Sequence, residues 1–191
     1  MGKLNIKRPE TTVKLCLDMS LRADWERLDE QLREARKATT GDRLAGNTEA
    51  NRLAEEIREL EQQMQAETVT FRLRAIPRTE WGALIAEHPA GDSEEDKKIG
   101  FNRATFFDAL LARVDDPEAK PPTTATIREV TRHDGEPVEF DPAADWVPLA
   151  DEMTDQQYSE IATAAFMLNR GKVSVPFSLV ASKMTQDSDE I

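Results

Sequence analysis

The residues able to do acid, base or nucleophilic chemistry are few and scattered. The two histidines, His88 and His133, are far apart in sequence, and each sits beside turn-forming residues. His88 has the position of a helix-terminal residue near a C-terminal dipole, and His133, next to Asp134-Gly135, has that of an exposed loop residue. The lone cysteine, Cys16, excludes an internal disulfide and any site built from several cysteines. No HExxH, CxxC or EF-hand spacing occurs, nor a GxGxxG, P-loop or GxSxG pattern. Asp and Glu together number 37, so carboxylate pairs arise by chance and mark no site. The serines lack a His and Asp constellation. Arg72, Arg74 and Arg78 form one basic spot, which either balances the surrounding carboxylates or meets an acidic partner. No catalytic residue, cofactor site or metal site is expected, and the chain reads as a binding or assembly protein.

Composition agrees. A net charge of −12 weighs against nucleic acid and against an anionic membrane surface, because both need clustered cations. Charged residues make up 32% of the chain and aromatics only 6%, which suits a helical protein with a modest core. The first residues, MGKLNIKRPE, lack the apolar stretch of a secretory signal, and no apolar run approaches a membrane span. The expectation is a soluble intracellular protein.

Hydrophobic spacing predicts the elements that must carry any binding surface. Residues 1–10 read as a flexible leader. Val13, Leu15, Leu17 and Met19 alternate with polar residues, which is the period of a half-buried strand, with Cys16 on its outer face or as a small filler. Ser20 is placed to cap a helix with the stripe Leu21, Trp25, Leu28, Leu32 and Ala35. A second helix, capped at Asn47 or Thr48, carries Ala50, Leu53, Ile57, Leu60 and Met64. Both stripes step by three and four, which predicts an antiparallel coiled-coil hairpin whose outer faces are solvated. Val69, Phe71 and Leu73 then alternate in a returning strand. Residues 11–75 therefore read as one βααβ unit with its two strands paired.

Residues 76–182 read as a helical body. Pro77 opens a helix with Trp81, Leu84 and Ile85 inward. Residues 90–100 form an acidic, flexible loop. Asn102 caps a helix bearing Phe106, Phe107, Leu110, Leu111 and Val114, with Phe101 stapled onto Phe106. Residues 115–150 form a linker in which Asp134-Gly135 signals a β-hairpin between Ile127/Val130 and Val138/Phe140, Pro137 limiting the second arm to an edge, with an irregular loop as the alternative. Thr154 and Gln157 form a capping box for a helix with Tyr158, Ile161, Ala162, Ala165 and Leu168 inward, ending at Asn169-Arg170-Gly171. The segment VSVPFSLVASK is apolar enough to dock, and residues 183–191 read as a disordered acidic tail. The expected fold class is α+β and mainly helical: a βααβ unit followed by a small helical bundle, with room for an extra β-hairpin.

The segments FRLRAIPRTEWGALIAEHP, GFNRATFFDALLARV, DEMTDQQYSEIATAAFMLNRG and VPFSLVASK, in that order, resemble the tail assembly chaperones of long-tailed phages, especially those of phages and prophages of actinobacteria. The resemblance covers about Thr68 to Ser182 and rests on packing residues. The link PPTTATIREVTRHDGEPVEF is longer than the family's usual connection between its second and third core helices. The resemblance implies a non-enzymatic protein of the host cytoplasm. It would bind the tape measure protein, keep it competent to receive major tail protein subunits, and be absent from the mature virion. Many members also exist in a longer, frameshifted form, which an acidic tail tolerates. The alternative is another structural or adaptor component of a phage-like particle, such as a tail completion or connector protein. The helices containing Phe106, Leu110, Tyr158, Ile161 and Ala165 are the expected partner-binding surface. Self-association stays open, because the two hairpin stripes can satisfy each other within one chain or between two.

Overall fold

Alternation of apolar and polar residues produces the strands that organise the chain. In the computed structural model, which describes residues 6–38 and 45–171, β1 (Glu10–Cys16) and β2 (Thr68–Arg74) pair antiparallel from Glu10↔Arg74 to Cys16↔Thr68. Between them in sequence lie α1 (Ser20–Ala38) and α2 (Ala45–Ala66), which bury Leu32, Ala50, Leu53 and Ile57 against one another. Trp25, Leu28 and Ala35 flank that seam, and Trp25 Nε1 donates to Glu61 Oε1 across it at 3.1 Å. The turn expected between these helices lies outside the described residues. So do residues 1–5 of the expected leader, the docking segment VSVPFSLVASK and the acidic tail.

The junction of β1 with α1 differs from expectation by a few residues. Leu17, expected on the buried face, is 48% exposed, because the chain turns out of the strand at Asp18. Asp18 Oδ1 accepts from Ser20 N at 2.8 Å, so the carboxylate, and not the Ser20 hydroxyl, serves the start of α1. Cys16 is half-buried at the same corner, and its Sγ donates to Asp18 O at 3.2 Å. Its role there is to fill space.

A third strand, β3 (Ile127–Arg132), pairs antiparallel with β2, giving a sheet of order β1-β2-β3. The register slips between Arg72 and Leu73, so Val130 faces Phe71 while Ile127 faces Leu73. A bulge of this kind places two apolar residues three apart on one face of a strand, and both Ile127 and Val130 are buried. The expected hairpin turn is present. Gly135 adopts φ 88°, its N–H donates to Arg132 O at 3.0 Å, and Val138 N–H returns to Val130 O at 2.8 Å. Pro137, having no N–H to give, limits the returning segment to a bridge with Thr131.

Helices cover one face of the sheet. They are α3 (Arg78–Glu87), α4 (Glu94–Ile99), α5 (Arg103–Leu111), α6 (Pro142–Glu152) and α7 (Asp155–Arg170). Two of them correct the sequence reading. Residues 90–100 are not all loop. Ser93 Oγ accepts from Asp96 N at 3.1 Å and starts α4, which Gly100 closes at φ 91°. Residues 115–150 contain α6 as well as β3. Asp141 Oδ1 accepts from Ala143 N at 3.0 Å, Pro142 takes the first turn, and Trp146 is completely buried. The core joins Val13, Leu15, Val69, Phe71, Leu73, Ile127 and Val130 from the sheet to Leu84, Phe106, Leu110, Trp146 and Ile161 from the helices. Glu80 is also buried, paired with Arg113 at 2.6 Å and bonded to both the N–H and the hydroxyl of Thr124 at 2.8 Å. This ties α3 to the segment entering β3.

The burial of Trp146 beside the exposed Val147 makes α6 directly testable. Trp146→Ala should cost about 3–5 kcal/mol in urea unfolding, whereas Val147→Ala should stay within about 0.5 kcal/mol. Equal effects would show that α6 does not pack as described.

Candidate partner-binding groove

Three capped helices build an apolar concavity on the body. Asn102 Oδ1 accepts from Ala104 N at 3.0 Å and fixes the start of α5. Arg103 holds α4 beside it, with its N–H 3.3 Å from Asp96 Oδ1 and its guanidinium paired to Glu95. The expected box at α7 is present, with Gln157 N–H donating to Thr154 Oγ1 at 3.3 Å and Thr154 N–H to Gln157 Oε1 at 2.9 Å. Gln157 Nε2 also donates to Cys16 O at 2.8 Å, so the cap fastens α7 to the end of β1. At the other end Asn169 Oδ1 accepts from Ile76 N at 3.0 Å, anchoring α7 just beyond β2.

Between α4, α5 and α7 lies an open groove of about 530 Å³. Ile99, Phe101, Phe107, Ala162 and Phe166 form its apolar lining, while Asp96, Arg103, Asp155 and Thr163 supply polar groups. Aromatic rings stiffen the apolar side. Phe101 stacks on Phe106 with centroids 4.0 Å apart, as the expected staple requires, and Trp81 meets Phe106 edge-on at 5.0 Å. Arg170 lies over Phe166, its guanidinium carbon 5.8 Å from the ring centroid. The arrangement can hold an apolar side chain or a short helical stripe.

The five residues expected at a partner surface divide. Phe106, Leu110, Ile161 and Ala165 are fully buried in the core, and only Tyr158 lines the groove. The helices named by the sequence do wall the groove, but through neighbouring positions: Ala104 and Phe107 on α5, and Ser159, Thr163 and Phe166 on α7. The wide apolar face of α5 held the signal. Phe106 and Phe107 are about 100° apart around a helix, so one can enter the core while the other faces outward.

The remaining chemistry-bearing residues hold structure. His88 Nδ1 lies 2.9 Å from Thr105 Oγ1, with its ring edge-on to Phe106, while His133 is exposed. Arg72 lies between Glu129 at 3.0 Å and Glu10 at 3.1 Å on the open face of the sheet. Arg74 is disfavoured as a cation by burial first, then by Arg128 and Arg8 nearby. Among the described residues no cluster of His, Cys, Asp and Glu could hold a metal ion, and no helix is long and apolar enough to cross a membrane. Compared with protein-family models, with curated proteins and with solved structures, the chain matches none.

Asp108 anchors the inner wall, where its Oδ1 accepts from both Tyr158 Oη at 3.0 Å and Trp146 Nε1 at 3.2 Å. Burial pushes the Tyr158 phenol well above its ordinary range, and the Asp108 charge and hydrogen bond push it further. A raised folded-state pKa means that the stability from the neutral phenol is present below the unfolded value of about 10 and is lost as pH rises beyond it. Tyr158 is the chain's one tyrosine, so phenolate absorbance reports it alone. Its titration should lie clearly above the ordinary range in the folded protein and return to that range in denaturant. Asp108→Asn should lower the folded value, and an unshifted wild-type titration would contradict this packing.

Proposed function

We propose that the chain is a non-enzymatic tail assembly chaperone of a long-tailed phage or prophage. In this reading it binds the tape measure protein in the host cytoplasm, hands it on for assembly with major tail protein subunits, and is absent from the finished particle. The observation that carries the reading is the apolar, polar-rimmed groove between α4, α5 and α7, on segments that also carry the family resemblance. A tape measure protein is a long helical chain whose apolar stripes are exposed before assembly. Seating an amphipathic helix in a groove covers such a stripe without sequence-specific chemistry. Because the groove is one modest concavity, each contact is weak and reversible, and many copies together keep a long chain soluble.

In the same reading, β1, α1, α2 and β2 act as a single βααβ unit whose helices wind as an antiparallel coiled coil. The three-and-four spacing of the two stripes and the shared seam of Leu32, Leu53 and Ile57 support this. The rod then serves as a spacer, and the groove on the body as the grip.

Charges placed in the groove test the reading without touching the core. Ala104 and Thr163 are exposed groove residues, and Ala104→Glu with Thr163→Glu should leave the thermal melt close to wild type. Co-expressed with the tape measure protein, the wild-type chain should keep that protein soluble and co-purify with it, and the double variant should do neither. Normal co-purification by the folded double variant would sink the groove assignment. Stoichiometric presence of the chain in purified particles would sink the chaperone role in favour of a structural component.

A further inference from the structure

The two edges of the sheet are finished differently. Outside β3, the return through Glu136, Pro137 and Val138 takes up backbone groups of Arg132 and Val130. Outside β1, among the described residues, only Cys16 O is occupied, by Gln157 Nε2. The parity of β1 is fixed by two hydrogen bonds, Leu17 N to Glu67 O at 2.9 Å and Ala75 N to Pro9 O at 3.0 Å. In the register of this pair, odd-numbered residues of β1 therefore bond to β2. The N–H and C=O groups of Glu10, Thr12 and Lys14 consequently point away from the sheet. Such an edge is a template for another strand.

We propose that β1 pairs antiparallel with β1 of a second copy of this chain, about a twofold axis at Thr12. Only even residues carry free edge groups, so an antiparallel pairing must set even against even, and the dyad at Thr12 does so. It places Thr12 opposite Thr12, and Glu10 of each copy opposite Lys14 of the other. Each of these pairs exchanges two backbone hydrogen bonds. The side chains of Glu10, Thr12 and Lys14 are all exposed on the open face of the sheet, where opposite charges directly across strands attract. Glu10 reaches Arg72 through Oε2, and its Oε1 has no partner among the described residues. The register also leaves Cys16, already engaged by Gln157, outside the paired stretch.

Two further features fit this occupant. Ile6 and Leu17 are large apolar residues left exposed, at 87% and 48%, one before and one after β1. Pairing about Thr12 brings the Ile6 end of one copy level with the Leu17 end of the other. A lysine on an edge strand ordinarily discourages indiscriminate pairing; here Lys14 meets a carboxylate in one register, so the same residue selects the partner. The contact is isologous and closes on itself, giving a six-stranded sheet and not a fibre.

Light scattering of the full chain across a wide concentration range, with circular dichroism and thermal melting, tests this. Wild type should pass from monomer to dimer as concentration rises. Thr12→Pro removes an outward N–H that β2 does not use, so it should remain folded and monomeric. Lys14→Glu sets like charges against each other twice and should weaken the dimer about tenfold, and adding Glu10→Lys should restore it. A wild-type chain that stays monomeric overturns the proposal, as does a folded Thr12→Pro variant that dimerises normally. If Thr12→Pro fails to fold, the charge variants decide: unchanged dimerisation in Lys14→Glu overturns the pairing.

Discussion

The structure depends on the burial of one face of β2. Val69, Phe71 and Leu73 point the same way along this central strand, and Leu73 is wholly sealed from solvent. A ribbon of β1 and β2 alone would leave that face in water and would be marginal. Adding β3 widens the sheet, and α7 lies across β1 and β2 to cover it. The ends of α7 are set by side chains that reach to the sheet strands or just beyond them, Gln157 to Cys16 and Asn169 to Ile76. The groove follows from that placement. Once α7 is fixed along the sheet, α5 packs beside it through Phe106 and Leu110, and Phe107 and Phe166 are left lining the space between.

The opposite face of the sheet is managed by charge. Arg72 bridges Glu10 and Glu129 in three adjacent strands, and all three side chains are more than a third exposed. Such pairs add little stability each, but they make the face soluble and oppose a slipped register. Buried polarity is reserved for places where it fixes geometry. Glu80 satisfies Arg113 and Thr124, and Asp108 satisfies Trp146 and Tyr158. Removing one partner of a buried pair strands the other, and that penalty exceeds what the pair adds.

Much of this was legible in the residues, because period and capping act locally. The alternation of Val69, Phe71 and Leu73, the Asn102 cap, the Thr154 box and the Phe101 staple all appear as read. The helices α4 and α6 were hidden, and β3 was legible only as one arm of an optional hairpin. The Asp134-Gly135 turn signal marked the segment, but β3 buries residues three apart at its bulge and lacks a clean strand period, so its place as the sheet's third strand was not legible. In α6, Pro142 and Pro148 made the segment look like linker, although Pro142 occupies the first turn, where proline is tolerated. At the groove, the stripe pattern identified the helices that pack but could not tell which apolar residues the sheet would consume. That choice depends on how α5 and α7 sit against each other, which is a tertiary fact. Thus Phe106 and Ile161 went to the core, and Phe107 and Phe166 line the groove.

The molecule joins a paired-helix arm to a body with an apolar groove between α4, α5 and α7 that suits a passing helical stripe. The proposed function places the partner on the body and not on the arm. Hydrogen–deuterium exchange of the full chain, alone and with tape measure protein, tests it most directly. Alone, β2 amides should exchange slowest, since the global core closes around them. With the partner, protection should rise along α4, the outer side of α5 and α7, and stay unchanged in α1 and α2. Protection gained on α1 and α2 with none at α5 and α7 would contradict the account.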